Sequence, residues 1–367
     1  MDAIQVGIIG AGYWGPNLIR NFSACPLTNV AGVCDANPAR LEAIGRQFGH
    51  LKLVDSVDRL LELGINAVAI ATPVSSHYPL AARCLEAGLH VLVEKPLTST
   101  VQEAQTLVDL AARKGRVLMV DHTYLFNSAV RKIKQIFDSG ELGDLYYVDS
   151  IRINLGLFQK DINVVWDLAP HDLSIVDYIL GAPARSISAW GCHHANEGIE
   201  DIAYVNVDFG DELQANFHVN WLSPVKIRQM IFAGSKKSLI LNELNTTEPV
   251  KIYDRGIQLK EAETPEERSK LLVGYRSGDV WSPHIEPGEA LQGVVRHFAE
   301  CIRSGATPIS DGKLGLRVVR LLEAANRSIK AQGGRIVLPN GNGNGISEAK
   351  AGRRVEFPAH SAGRAAG

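Results

Sequence analysis

The sequence offers little to tie it to a membrane, a nucleic acid or an oxidising compartment. Its five cysteines (Cys25, Cys34, Cys84, Cys192 and Cys301) are scattered, odd in number and never in a CxxC pair. That excludes a disulfide framework read from spacing and predicts buried thiols in a reducing cytoplasm. No cysteine–histidine spacing suggests zinc. His193 and His194 are adjacent, so in a strand they face opposite sides, and no metal site is expected. Formal net charge is −2 with no Lys/Arg block, which argues against nucleic acid or an anionic membrane as partner. No apolar run reaches the roughly 18 residues of a membrane span. The chain enters strand-like sequence at Ile4 with no charged n-region or apolar h-region, so no secretion signal is expected. What is present is 46% apolar and 21% charged sequence over 367 residues, enough for two domains with a core each.

The first half alternates strands and helices. Ile4 to Ile9 is β-rich and flows into Gly10-Ala11-Gly12-Tyr13-Trp14-Gly15, a complete G-x-G-x-x-G. A helix to about Ser23, a second strand over 29–34 and Asp35 follow. Gly10 permits the tight turn, Gly12 lets backbone approach a pyrophosphate, and Gly15 lets helix pack on strand. The helix N-terminus offers free N–H groups to phosphates. Asp35 stands about 20 residues on, where a carboxylate accepts from ribose hydroxyls. Strand, fingerprint, helix, strand and acid in that order predict a Rossmann dinucleotide site. Asp35 repels a 2′-phosphate and points to NAD; Arg40, a few residues along, is either a solvated helix residue or the cation for NADP. Further strands are expected over 67–71, 91–93 and 117–120, with helices over 41–48, 78–87 and 101–114, giving a doubly wound parallel sheet. After Ala71, the loop Thr72-Pro73-Val74-Ser75-Ser76-His77 either borders the cofactor or caps the next helix. Glu94-Lys95-Pro96 ends the buried run from His90. There Lys95 is either a solvated strand end or a group at the mouth of the sheet, where ligands bind.

After about residue 124 the rhythm changes to short β-like runs over 145–153, 185–191, 203–209, 213–221, 226–233 and 238–241, with Phe209 to Leu213 reading as a hairpin. Helices are expected over 128–139, 288–304 and 314–331. This predicts an α+β domain with a large, mostly antiparallel open sheet. Asn163-Val164-Val165-Trp166-Asp167-Leu168-Ala169-Pro170-His171 opens a helix to about Leu180. Pro170 belongs in a first turn, which places Asp167 near the N-cap and His171 one turn later. Asp167 is then a cap or a carboxylate raising the proton affinity of His171, and His171 a core histidine or a general base. Asp172 and Asp177 read as ordinary helix polar residues. The expected division is 1–124 for the cofactor domain, 125–339 for the substrate and oligomerisation domain, and 340–367 for a disordered Gly/Ala/Asn/Ser-rich tail.

Together the fingerprint, Ala71-Thr72-Pro73 with His77, Glu94-Lys95-Pro96-Leu97 and the D-x-x-x-H of Asp167 and His171 resemble the glucose–fructose oxidoreductase / inositol dehydrogenase family, the Gfo/Idh/MocA group. The resemblance extends to about Pro339. It implies hydride transfer at a sugar or cyclitol carbon, with Lys95 on the reacting hydroxyl and nicotinamide, His171 as base, and Asp167 holding substrate or histidine. It implies cofactor contacts from Gly10, Gly12, Tyr13, Trp14, Gly15, Asp35, Thr72, Pro73, His77 and Glu94, and substrate contacts from Lys95, His122, Tyr124, Trp166, Asp167 and His171. It also implies a homo-dimer or homo-tetramer joined through the C-terminal sheet. The lead Ile162 to Trp166 lacks the glycines frequent in the family, and 122–127 lacks its arginine. The form around Trp166 to Asp172 looks like the nucleotide-sugar branch. Arg152, Lys160, Lys226 and Arg228 are then candidates for a diphosphate, each more readily read as simply solvated, and Trp281 and His284 for a sugar pocket in a loop. The alternatives are an inositol or free-sugar dehydrogenase, a non-catalytic cofactor-binding regulator on the same fold, and an amino-acid or imine dehydrogenase. The last would require clustered arginines.

Overall fold

The computed structural model describes residues 2–156, 158–159, 161–259 and 273–339; the expected tail and Lys160 lie outside them. The first half builds strands β1 (Ile4–Ile9), β2 (Thr28–Cys34), β3 (Lys52–Val54), β4 (Ala67–Ile70), β5 (His90–Glu94) and β6 (Leu118–Asp121). Helices α1 (Gly15–Ala24), α2 (Pro38–Gln47), α3 (Val57–Leu61), α4 (His77–Glu86) and α5 (Val101–Lys114) connect them. The strands pair in the order β3-β2-β1-β4-β5-β6, every pair parallel. All four residues of β4 are buried, as in a strand covered on both faces. The carboxyl ends of β1, β2, β4, β5 and β6 therefore share one edge, carrying Gly10, Asp35, Thr72, Lys95 and His122. β3 and α3 are too short to carry a periodic pattern in the sequence.

The second half begins with α6 (Ser128–Asp138), β7 (Leu145–Leu155), α7 (Val164–Leu180), β8 (Ser186–Cys192), β9 (Ile202–Gly210) and β10 (Leu213–Asn220). It continues through β11 (Leu222–Gly234), β12 (Ser238–Asn242), β13 (Val250–Leu259), β14 (Val273–Trp281), α8 (Ala290–Ser304), α9 (Gly312–Lys330) and β15 (Ile336–Val337). Nine strands form one sheet in the order β14-β13-β12-β11-β7-β10-β9-β8-β15. Only β7 and β10 pair parallel within it. The expected hairpin joins β9 to β10, with Asp211 and Glu212 both at positive φ, as a two-residue type I′ turn requires. β13 and β14 are additions to the sequence reading. Polar and glycine residues interrupt the apolar pattern of both, β14 forming the outer edge of the sheet and β13 lying between it and β12. Trp281 consequently ends β14 rather than sitting in a loop. α7 packs on the sheet, and α9 packs on both α7 and α5.

Candidate functional site

The fingerprint folds as a cradle. Gly10 has φ +102°, and a Cβ there would lie 2.5 Å from Ala71 O; a Cβ on Gly15 would lie 2.5 Å from Gly10 O. Gly12 faces open space, its nearest neighbour being Arg40 Nη1 at 3.9 Å from an added Cβ. α1 has no side-chain N-cap and no acid in its first turn, which leaves donors for an anion. Tyr13 and Trp14 are 86% and 43% exposed over this loop, their rings edge-to-face. Asp35 is buried; Oδ2 accepts from Ala11 N at 2.7 Å and Oδ1 from Asn37 N at 2.8 Å. Arg40, itself half exposed, stands 3.7 Å from it. The open floor at Gly12, the uncapped helix and the acid fit a dinucleotide.

The loop after β4 is an internal brace. Ser76 does not cap α4 with its side chain; its hydroxyl donates to Pro73 O at 2.7 Å and shares a hydrogen bond with the Thr72 hydroxyl at 2.7 Å, which corrects the capping alternative. His77 is buried, with Nδ1 2.9 Å from Pro96 O and Nε2 2.8 Å from Thr72 O. Burial lowers its proton affinity, and a neutral ring donates to only one of these carbonyls. Both nitrogens face backbone carbonyls, so His77 shapes the mouth of the sheet and turns no polar atom toward a cofactor. Glu94 is likewise turned inward, opposite Asp121 across β5 and β6. Burial, then the neighbouring carboxylate of Asp121, push Glu94 well above the usual range.

Lys95, after β5, meets the first turns of α7. Its Nζ donates to Asp167 O at 2.9 Å and lies 3.6 Å from Asp167 Oδ1. Asp167 Oδ2 accepts from the indole of Trp221 at 3.0 Å; Trp221 is fully buried just after β10. The helix begins earlier than its sequence implies. Asn163 caps it by accepting from Trp166 N, and Pro170 lies inside it. Asp167 is therefore a side chain of the first turn, not the cap. It turns to Lys95 and Trp221 rather than to His171. His171, one turn on, has its proton affinity held well below the ordinary value by burial and then by the charges of Lys95, Arg152 and Arg228 and by neighbouring His122. Its Nδ1 is buried without a hydrogen bond, and its ring meets Tyr124 edge-on at 4.9 Å.

Several anticipated contacts are placed otherwise. His122 is 1% exposed with neither ring nitrogen partnered. Burial, then Lys95, hold it down to about 3, so it lies behind the site as a neutral ring. Trp166 is 93% buried in the same sense, with 7% exposure and its indole N–H enclosed. Arg152 is consumed in the interior. It binds Asp172 at 2.6 Å and Glu243 at 2.5 Å, both Arg152 and Asp172 being 2% exposed. Asp172, far from an ordinary polar residue, also accepts from Ser150 Oγ. Asp177 pairs with Arg317. Lys226 is exposed, Lys237 covers Trp281 at 4.3 Å, and exposed His284 meets Glu286; none of these contacts is with the residues around Lys95. Trp221 carries no local signal in the sequence, because its role depends on a contact 54 positions from Asp167. Among the described residues no cluster of three or more His, Cys, Asp or Glu is placed to hold a metal, and no helix is long and apolar enough to cross a membrane.

Residues 4–122 match the GFO/IDH/MocA oxidoreductase family, NAD-binding Rossmann fold, and 130–240 match the GFO/IDH/MocA C-terminal domain. A scyllo-inositol 2-dehydrogenase (NADP(+)), IolW, of Bacillus subtilis is 26% identical over 350 residues, 90% of this chain and 95% of the relative. UDP-N-acetylglucosamine 3-dehydrogenase of Acidithiobacillus ferrooxidans is 28% identical over 322 residues, covering 87% and 95%. A solved structure of the latter enzyme, GnnA, superposes with TM-score 0.76 at 25% identity, covering 90% of this chain and 99% of that one. With its dinucleotide cradle and its nine-stranded second sheet, the chain belongs to the GFO/IDH/MocA family of NAD(P)-dependent oxidoreductases.

Proposed function

We propose that the protein transfers a hydride between NAD and a secondary hydroxyl of a nucleotide-activated sugar. The observation that carries this reading is the juxtaposition, at the mouth of the parallel sheet, of a loosely paired Lys95 with a neutral His171. Bound NAD supplies the hydride acceptor. Gly10, Gly12 and Gly15 with the start of α1 would hold its phosphates, Tyr13, Trp14, Thr72 and Pro73 would flank it, and Asp35 would accept from its ribose. His171 takes the hydroxyl proton at Nε2, the nitrogen remaining when Nδ1 is enclosed. Its lowered proton affinity keeps it ready as a base at neutral pH. Lys95 donates to the oxygen on which negative charge develops. Asp167 holds the ammonium, and Trp221 fixes Asp167. Arg40 neutralises Asp35 only from 3.7 Å, so the buried carboxylate still disfavours a 2′-phosphate, in favour of NAD over NADP.

The similarity to a UDP-N-acetylglucosamine 3-dehydrogenase at 28% identity supports a nucleotide sugar. The similarity to inositol dehydrogenases at 26% supports cyclitol oxidation as the second reading. Retention of Lys95 and His171 argues against a non-catalytic regulator. We assign residues 1–124 to cofactor binding and 125–339 to substrate and self-association, in a cytoplasmic enzyme. Trp190, Tyr204 and His218 stand in register across β8, β9 and β10. The first two are 61% and 55% exposed, an apolar face suited to pairing with a second copy. The test is NAD reduction, followed by absorbance, with UDP-N-acetylhexosamines, uronates, free hexoses and inositols. Reduction with UDP-sugars is expected; reduction with inositol alone would replace the nucleotide-sugar reading by the second one.

A further inference from the structure

Two arginines stand side by side beneath the proposed base. Arg152 and Arg228 are paired residues of β7 and β11, so their side chains leave the same face of the sheet. Both donate to one atom, the Tyr124 hydroxyl, at 3.3 Å and 2.9 Å. They differ in everything else. Arg152 is enclosed, and its Nε and both terminal nitrogens are taken up by Asp172, Glu243 and Tyr124. Glu243 spends both carboxylate oxygens on Arg152. Arg228 is partly exposed, its Nε is buried with no partner, and among the described residues no carboxylate lies within ion-pair distance of it. The bond to Tyr124 is the single hydrogen bond described for its guanidinium. Glu243, whose oxygens are committed to Arg152, is the carboxylate whose charge reaches Arg228, so the remaining donors of the Arg228 guanidinium are open to an incoming anion.

We infer that Arg228 binds a carboxylate on the substrate's sugar ring, making the substrate a sugar acid of the hexuronate type. This rests on the sugar-dehydrogenase reading above and deepens it. Tyr124 sets the distance: its ring lies against His171 and its hydroxyl against Arg228, so one six-membered ring separates base and cation. A pyranose spans the same gap, with a reacting hydroxyl at one side and a C5 carboxylate across the ring. The planar fork of arginine suits a carboxylate bidentately. Arg228 charge already acts on His171, which places the two groups in one electrostatic environment. The diphosphate of a nucleotide, attached outside the ring, is the competing source of negative charge.

The test compares kcat/KM of the NAD-loaded enzyme on two matched pairs: UDP-N-acetylglucosaminuronate against UDP-N-acetylglucosamine, and glucuronate against glucose. The wild type is expected to prefer the acid in each pair by at least about tenfold, the scale on which an unmatched polar group discriminates. Arg228→Gln is expected to lower the acid-to-neutral ratio by about tenfold or more, chiefly through KM, and Arg228→Lys to restore part of it. A ratio unchanged in Arg228→Gln, with both members falling equally, assigns Arg228 to the diphosphate or to support of Tyr124 and overturns the inference. Preference for the neutral sugar in the wild type overturns it too, while leaving the sugar-dehydrogenase reading intact. Turnover of none of the four sugars by enzyme that still binds NADH overturns both.

Discussion

Helix α7 carries two acid–base pairs little more than a turn apart, and they are built to opposite ends. Asp172 and Arg152 meet at 2.6 Å with 2% exposure on each side chain and every partner supplied by the protein. Asp167 and Lys95 meet at 3.6 Å with side-chain exposures of 24% and 16%, and the better of the lysine's bonds goes to a backbone carbonyl. The interior pair has no capacity to spare. The pair at the mouth retains donors for an incoming hydroxyl. Position on the helix decides which is which: about 100° of rotation separates His171 from Asp172, one facing the cofactor edge and the other the sheet.

That contrast can be broken at its strongest point. Arg152→Met leaves Asp172 and Glu243 buried without a cation and should cost about 3–5 kcal/mol of stability, read by urea unfolding; a loss under 1 kcal/mol would make the interior pair as dispensable as a surface one. Lys95→Met should instead leave stability and NADH binding near wild type and lose roughly three decades of turnover, about 4 kcal/mol of barrier. Near-normal turnover would remove Lys95 from the chemistry. A pH profile sharpens the role of His171. Its proton affinity is depressed in the folded enzyme, so the base stays unprotonated as pH falls through 6.5, and kcat/KM should fall only below that. An acid limb centred at 6.5 would contradict the enclosure described. The smallest effect is expected from Trp221→Phe, which takes one N–H from Asp167 and should lower kcat about tenfold, about 1.4 kcal/mol, without a comparable change in stability.

Much of the cofactor half is legible in the sequence because its signals are local. The fingerprint, the spacing to Asp35 and the Glu94-Lys95 strand end are each set by neighbours along the chain. The D-x-x-x-H is legible for the same reason, though the cap is not: Pro170 suggests a first turn, whereas packing on the sheet holds the helix back to Asn163 despite the proline. What escaped reading is made by distant pairing. Arg152 looks like any strand cation until the end of β12 and α7 bring Glu243 and Asp172 to it, 91 and 20 positions away. The clustering of Arg152 with Arg228, absent from the sequence, is a property of strand register. β13 and β14 are hidden in the sequence because charged and glycine residues break their apolar alternation.

The last two helices do not stay with the half of the chain that precedes them. α8 packs on α1, where Arg20 holds Glu289 at 2.6 Å. α9 lies along α5 and β6, and Val120 N bonds Ser310 O beside it. Even the glycines of α9 are fitted to this seat: a Cβ on Gly312 or Gly315 would strike Leu118 or Val120 at 2.7 or 2.6 Å. During synthesis the ribosome therefore releases a nucleotide half whose flank stays bare until some two hundred further residues have emerged. The two halves mature together, and a cut near residue 124 would separate a sheet from part of its own covering.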